Sequence, residues 1–142
     1  MKTLSDVLRV KGTEVFSIRP GDNVHDAMEV MNDKGVGALL VLSDDGVAGI
    51  LSERDVARKI TLTEKSARQT PASEIMTSRV TCVTPGISIQ EAMQIMTEQR
   101  VRHLPIVDRN QVLGVVSIGD LVKAIIDDQE FTIEQLKNYI AS

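Results

Sequence analysis

The sequence is poor in the residues on which several common protein classes depend. Its 142 residues include one cysteine, two histidines and three aromatic side chains, none of them tryptophan. The lone Cys82 excludes an intramolecular disulfide framework and fits the reducing cytosol. So few histidine and cysteine residues predict no metal centre. A net charge of −4 with so few aromatic residues argues against a nucleic-acid partner, since such proteins usually have a basic face and stacking aromatic rings.

Long apolar runs are missing as well. No segment approaches the roughly 20 apolar residues of a membrane-spanning helix. The N-terminal MKTLSDVLRVKG is too polar for a secretory signal peptide. The length suits one ordinary domain or two small interlocked ones. We therefore expect a soluble cytoplasmic protein with no membrane partner, whose core consists of Val, Ile, Leu, Ala and the six Met residues.

The chain does contain an internal repeat. When the sequence is compared with itself, Val15–Ile60 aligns with Val80–Ile125 without a gap, and 13 of the 46 positions are identical. A solenoid needs at least about three repeats, so two copies favour a pseudo-symmetric pair in which each half buries the apolar face of the other.

Each copy has the pattern of a β-α-β-β-α unit. The first helix carries apolar residues at helical spacing in both copies, and Gly35 predicts where it ends in the first. Arg100 stands at the equivalent position in the second copy and predicts a different cap there. The fold class is α/β (α+β), with two three-stranded sheets packed face to face. The predicted strands are Val15–Ile18, Ala38–Leu42, Val47–Leu51, Val80–Val83, His103–Val107 and Val112–Val116.

Three segments lie outside the repeat. Residues 3–10 predict a short N-terminal helix, and a polar connector after the first copy leads to one helical turn near Ser73–Thr77. Thr132 and Gln135 fit a capping box that would begin a separate C-terminal helix. The predicted boundaries are 1–70 for the N-terminal helix, first repeat and connector, 71–130 for the second repeat, and 131–142 for the C-terminal helix.

A Ser-x-x-Asp motif follows the last strand of each copy, as Ser52 to Asp55 and as Ser117 to Asp120. One interpretation is a helix cap, because Ser at the N-cap and a carboxylate three residues later both stabilise a helix start. The other is a ligand site. Free N–H groups at a helix N-terminus bind phosphate, and a carboxylate can accept both hydroxyl groups of a ribose. The spacing is compatible with both.

The repeat resembles a tandem pair of CBS domains, also called a Bateman module. The motifs VGALLV at 36–41 and VRHLPI at 101–106, followed by GILSERD at 49–55 and GVVSIGD at 114–120, occur in the same order in both halves. The resemblance covers about Val15 to Ile125, and the whole chain is similar to small stand-alone CBS-pair proteins. It implies two clefts between the halves for adenosine-containing ligands, with AMP first among AMP, ADP, ATP, NAD(H) and S-adenosylmethionine.

In the second copy the resemblance gives each candidate a role. Asp120 matches the ribose-binding Asp, and Ser117 the hydroxyl that contacts ribose or phosphate. Arg102 and His103 match a basic pair that contacts phosphate, and Thr81 matches a position that lines the adenine slot. We expect this copy to provide the better mononucleotide site.

The first copy departs from that pattern. Ser52 and Asp55 match the ribose-side pair, but Gly37 and Ala38 replace the basic pair. Arg54 is the candidate source of positive charge. The two clefts are therefore expected to be unequal.

Two hypotheses about function follow. The leading one is a non-enzymatic sensor that binds an adenine nucleotide without a metal, forms a homodimer through helices and transmits occupancy to an unidentified regulated protein. The alternative is a structural or dimerisation scaffold whose Ser-x-x-Asp motifs only cap helices. An enzyme is disfavoured, because the sequence has neither a nucleophile elbow nor a Walker loop.

Overall fold

The computed structural model describes residues 2–141, which divide into two compact units. The first-repeat unit consists mainly of Glu14–Thr81. The second-repeat unit contains the N-terminal segment to Thr13 and most of the chain from Cys82 onwards. Short helices precede each repeat, as predicted. In chain order the elements are α1 Leu4–Lys11, β1 Ser17–Ile18, α2 Val24–Lys34, β2 Ala38–Ser43, β3 Gly46–Ser52, α3 Glu53–Val56 with a π-helical continuation Ala57–Thr61, α4 Ala72–Ile75, α5 Ile89–Gln99, β4 His103–Asp108, β5 Gln111–Ser117 and α6 Ile118–Ala141.

The first-repeat unit has the predicted three-stranded sheet. β1 pairs parallel to β2, and β2 pairs antiparallel to β3 with Ala38 opposite Ser52. Amphipathic α2 covers the sheet, because its buried residues recur at helical spacing. The core of this unit comprises Ile18, Val24, Ala27, Met31, Leu39, Val41, Leu51, Val56, Ile60, Ala72 and Ile75.

The second-repeat unit has two strands rather than the predicted three. In place of the predicted strand Val80–Val83 there is a single bridge from Val83 to Ile106. Proline explains the loss. In the first repeat the N–H of Leu40 donates to Phe16 O at 3.2 Å. The equivalent of Leu40 is Pro105, which has no N–H to donate.

The first long helix ends in the same way in both repeats, so the different cap predicted at Arg100 is wrong. Gly35 and Arg100 both adopt the left-handed conformation, with φ of 65° and 56°. The residue after each cap donates a backbone hydrogen bond to a carbonyl in the last turns of the helix. Val36 donates to Met31 O and Val101 to Met96 O, both at 3.0 Å. Arginine therefore accepts a conformation in which glycine is favoured.

Each unit includes a helix that precedes the other repeat in the chain. α1 lies in the second-repeat unit and α4 in the first-repeat unit. The boundary predicted at residue 70 assigns α1 to the first repeat and α4 to the second, whereas the structure has the reverse. The anchoring hydrogen bonds are equivalent: Leu4 N to Ile87 O at 3.0 Å and Ser5 N to Pro85 O at 2.9 Å, against Ala72 N to Asp22 O at 2.7 Å and Ser73 N to Pro20 O at 3.0 Å.

The C-terminal helix predicted to begin at Thr132 is not separate. α6 runs unbroken from Ile118 to Ala141 over 24 residues. The Thr132 hydroxyl donates to Asp128 O at 3.0 Å, one turn back in the same helix. It therefore does not act as an N-cap acceptor.

Candidate functional site

Ser117 and Asp120 lie where β5 ends and α6 begins. The backbone N–H of Asp120 donates to Ser117 Oγ at 3.1 Å, and the N–H of Ser117 donates to Asp120 Oδ2 at 2.8 Å. This reciprocal pair is a capping box. It holds both side chains in fixed positions at the start of the helix, whichever further role they have.

Ser52 and Asp55 form the equivalent capping box in the first-repeat unit. Asp55 N donates to Ser52 Oγ at 3.1 Å, and both the N–H and the hydroxyl of Ser52 donate to Asp55 Oδ2 at 3.0 Å. Lys59 Nζ lies 3.4 Å from Asp55 Oδ1 and donates to Ile75 O at 2.9 Å. The Asp55 side chain is only 14 % exposed, so its carboxylate is largely shielded from solvent.

Lys11 is the functional candidate that sequence reasoning missed. It ends α1, and its Nζ lies 2.6 Å from Asp120 Oδ2 and also donates to Val115 O. No spacing signal could have revealed it, because 109 residues separate the two partners in the chain. The contact follows from the position of α1 within the second-repeat unit.

Electrostatics link these groups to His103. Burial would raise the pKa of Asp120, but hydrogen bonds from Lys11 and Ser117 outweigh it and lower the pKa below its usual value. The pKa of His103 is lowered, first by burial and then by the charges of Lys11 and Arg102, against the opposing effect of Asp120. His103 is therefore neutral at pH 7 and can either donate or accept a hydrogen bond.

Residues 37 and 102 are equivalent in their backbone roles. The carbonyl of Arg102 accepts from Ile118 N at 2.9 Å, and the carbonyl of Gly37 accepts from Glu53 N at 3.0 Å. The N–H groups of Ile118 and Asp120 at the start of α6 are thus already bonded within the protein. These two N–H groups are therefore not free to bind an anion, in contrast to those of an uncapped helix N-terminus.

The first capping box has a second carboxylate near it, that of Glu53. The Glu53 carboxylate lies 4.0 Å from where a Cβ on Gly37 would be. Ala38 is half-buried at the start of β2, and Arg54 is exposed on α3. The first-repeat unit thus has the carboxylates of Asp55 and Glu53 with the cations of Lys59 and Arg54. The second has the cations of Lys11 and Arg102 and the neutral His103 with the single carboxylate of Asp120.

Thr81 lies in the first-repeat unit, half-buried in an irregular segment. Its role beside adenine stays a prediction.

One group of potential metal ligands comes together within residues 2–141, at His25, Asp26 and Glu29 on α2. Arg68 Nη2 lies 3.2 Å from His25 Nε2, and arginine can only donate. Nε2 is therefore the acceptor, and in the neutral ring the proton resides on Nδ1, 3.4 Å from Glu29 Oε1. With that tautomer neither ring nitrogen has a lone pair free for a metal.

Comparison with known proteins supports the interpretation that the chain contains two copies of one domain. A family model of the CBS domain matches twice, at residues 4–62 and 72–127. The chain is 36% identical to the mitochondrial CBS domain-containing protein CBSX3 of Arabidopsis thaliana, over 97% of this chain and 71% of that protein. It is 34% identical to the CBS domain-containing protein YhcV of Bacillus subtilis, over 83% of this chain and 84% of that one.

A solved structure of a protein with CBS domains from Burkholderia ambifaria superposes with a TM-score of 0.86 at 45% identity, covering 90% of this chain and 96% of the other. No helix among residues 2–141 is long and apolar enough to cross a membrane. The chain belongs to the CBS domain family and is a small tandem CBS protein.

Proposed function

We propose that the protein is a regulatory module that binds an adenosine-containing nucleotide and transmits its occupancy to a partner protein. CBS-domain proteins are generally regulatory modules that bind adenosine ligands, and their stand-alone members are generally not enzymes. The observation that carries the proposal is in the second-repeat unit, where Lys11 and Ser117 are bonded to Asp120 and the charges of Lys11, Asp120 and Arg102 act on His103. We refer to these five residues as the second site.

The chemistry of the second site suits a nucleoside monophosphate. An ionised carboxylate accepts hydrogen bonds and offers no donor, which matches a ribose diol at Asp120. Lys11 and Arg102 are the cations that a phosphate group needs. AMP is therefore the first ligand to test, before ATP, NAD(H) and S-adenosylmethionine.

Ligand binding at Oδ2 of Asp120 would have a structural consequence. A ribose hydroxyl that bonds to this oxygen competes with Lys11 Nζ, which lies 2.6 Å from it. Lys11 is the last residue of α1, so its release or redirection towards phosphate alters how α1 is held. A partner that binds one arrangement of α1 better than the other would then respond to the nucleotide.

The first site, at Gly37, Ala38, Ser52, Arg54 and Asp55, is expected to bind anionic ligands less well. The Glu53 carboxylate beside Gly37 repels phosphate, and the positions of the basic pair carry no charge. This inequality favours one nucleotide per chain at low concentration, with the first site empty or used by a ligand without phosphate.

The second candidate function is a dimerisation scaffold. It is favoured by the two complete capping boxes, which account for the conformations of all four Ser and Asp side chains without a ligand. In both cases we propose a cytoplasmic homodimer, and the two functions differ only in their response to nucleotide.

Calorimetric titration of the nucleotide-stripped protein separates the two. AMP, ATP, NADH and S-adenosylmethionine are titrated into wild type, Asp120→Ala and Asn23→Ala. Asn23 is a matched control, because its side chain accepts from Asp26 N at 2.8 Å as the N-cap of α2 in the first-repeat unit, away from the second site. Both variants should lose stability of about 0.5–2 kcal/mol, as caps do. Only Asp120→Ala should lose ligand binding. If none of the four ligands gives heat with wild type, the scaffold function is the one that remains.

A further inference from the structure

The C-terminal half of α6 carries a stripe of apolar side chains that is exposed to solvent in the single chain. The first half packs on the core of the second-repeat unit, where Leu121 is the buried residue of the helix. Every residue from Glu130 to Ala141 is exposed. The exposed fractions of the stripe rise along the helix, from 47% at Ile126 through 52% at Ile133 and 56% at Leu136 to 82% at Ile140.

The exposed segment continues a helix that is already formed, but most helical stability in proteins comes from packing an apolar face. An apolar stripe left in water gains none of that stability. The ion pair of Lys2 with Asp128, at 3.0 Å, fastens the helix to its unit just before the exposed part begins. The apolar stripe beyond this ion pair therefore needs a packing partner that the described residues of its own chain do not provide.

The spacing of the residues in the stripe indicates that this packing partner is another helix. Its positions alternate steps of four and three residues, which is the seam of a coiled coil rather than the broad face of a core helix. Isoleucine occupies every a position and Leu136 a central d position, so the seam has the aliphatic side chains that pack as knobs into holes. The seam consists of Val122, Ile126, Gln129, Ile133, Leu136 and Ile140.

Charges beside the seam select the orientation. Lys123, Glu130 and Lys137 occupy successive e positions, and e faces e in an antiparallel pair. When Ile133 packs against Leu136 of a second copy, Glu130 lies opposite Lys137 of that copy, and the twofold axis forms each contact twice. In a parallel pair e faces g, so the same two residues would face Ile125 and Thr132 and form no ion pair.

We propose that the C-terminal half of α6 pairs antiparallel with the same segment of a second copy of this chain. The contact is self-complementary in shape and charge, with Ile133 against Leu136 at its centre and Gln129 against Ile140 at each end. This proposal rests on the self-association included in the proposed function but not on nucleotide binding, because the seam lies outside both sites.

Disulfide trapping tests the pairing directly. Gln129→Cys and Ile140→Cys are made separately in a Cys82→Ser background of the full chain. The reduced proteins are mixed and then oxidised. The antiparallel pair gives a disulfide between the two variants in the mixture and none with either variant alone. Disulfides in each separate sample mean parallel pairing and overturn the proposed orientation, while no disulfide in any sample overturns the proposal.

A matched control lies at the same level on the outer face. Glu134→Cys mixed with Gln135→Cys, in the same background, should give no disulfide, since b and c positions point away from the seam. Trapping there as fast as in the seam pair would mean random collision and would also overturn the proposal.

Charge reversal supplies an independent measurement by sedimentation equilibrium at low salt. Glu130→Lys or Lys137→Glu alone brings like charges together twice and should weaken self-association about tenfold, a change of about 1.4 kcal/mol. A mixture of the two variants restores both ion pairs and should recover wild-type affinity. An unchanged dissociation constant in each single variant overturns the proposal. A monomeric wild type overturns the self-association itself, and calorimetry with AMP tests the nucleotide site separately.

Discussion

Lys11 Nζ lies 2.6 Å from Asp120 Oδ2, so the carboxylate proposed to hold a ribose also holds the end of α1. The equivalent carboxylate, Asp55, pairs instead with Lys59 from the same helical segment, at 3.4 Å. One repeat therefore closes its site with its own residue, whereas the other uses a helix from the opposite end of the chain. We therefore expect a ligand at the second site, rather than at the first, to alter a contact between distant parts of the sequence.

Lys11→Met tests that relationship through ligand preference. Removal of Nζ frees Asp120 Oδ2 for a ribose but removes a cation from the phosphate. We expect adenosine to bind as well as before or better and AMP to bind less well. The ratio of AMP affinity to adenosine affinity should fall by about tenfold, the value of one charge-assisted hydrogen bond.

Calorimetric titration of both ligands into Lys11→Met and wild type measures that ratio. Lys59→Met is the matched control, because it removes the lysine beside Asp55 and leaves the second site intact. An AMP-to-adenosine ratio in Lys11→Met equal to that of wild type would mean that Lys11 serves only as a structural partner of α6.

His103 should make folding stability depend on pH between its folded and unfolded pKa values. Its folded pKa is lowered, chiefly by burial, from an unfolded value near 6.5. The folded state then binds protons less readily than the unfolded state. The stabilising contribution is present above the unfolded pKa and is lost as pH falls through the folded pKa.

Urea unfolding at pH 7.5 and at pH 5.5 measures this contribution. His103→Gln keeps a polar side chain that cannot titrate, so its stability should fall less than that of wild type between the two values. The same loss in His103→Gln as in wild type would assign the pH dependence to other groups.

Two equivalent glycines should differ in their tolerance of alanine. A Cβ on Gly49 would lie 2.6 Å from Met76 Sδ and 2.8 Å from the backbone oxygen of Thr77, which a bridge to Ile50 N at 3.0 Å holds in place. A Cβ on Gly114 would meet only the end of the Leu8 side chain, at 2.6 Å. Side chains can move aside, whereas a bonded backbone cannot.

Gly49→Ala should therefore cost about 2–3 kcal/mol of unfolding free energy and Gly114→Ala about 1 kcal/mol. Urea unfolding at neutral pH compares the two. Equal losses, or a larger loss in Gly114→Ala, would show that Leu8 on α1 moves aside less readily than the bonded backbone at Thr77.

The repeat and its periodicity predicted most elements because each depends on residues close together in the chain. The capping boxes are an example, since Ser52 and Asp55 are neighbours on one helical turn. What the sequence could not predict depends on long-range contacts. The position of α1 with the second repeat brought Lys11 to Asp120, and nothing near Lys11 indicates this.

Local chemistry also misled in two places. Thr132 has the capping residues of a helix start, but α6 had already begun fourteen residues earlier, and an existing helix elongates more easily than a new one nucleates. Arg100 lacks the conformational freedom of glycine, but the next residue, Val101, packs against the core and donates to Met96 O, which imposes the left-handed turn on Arg100.

That imposed turn gives the last prediction. Arg100 holds φ at 56°, where a side chain costs about 1–2 kcal/mol relative to the right-handed region. Glycine removes this cost but makes the unfolded chain more flexible, which offsets part of the gain. We expect Arg100→Gly to raise the unfolding free energy by about 1 kcal/mol, and Gly35→Arg, its mirror in the first repeat, to lower it by a similar amount. Urea unfolding of both variants gives the two signs. A loss of stability in Arg100→Gly would mean that the arginine side chain contributes more to the fold than its backbone conformation costs.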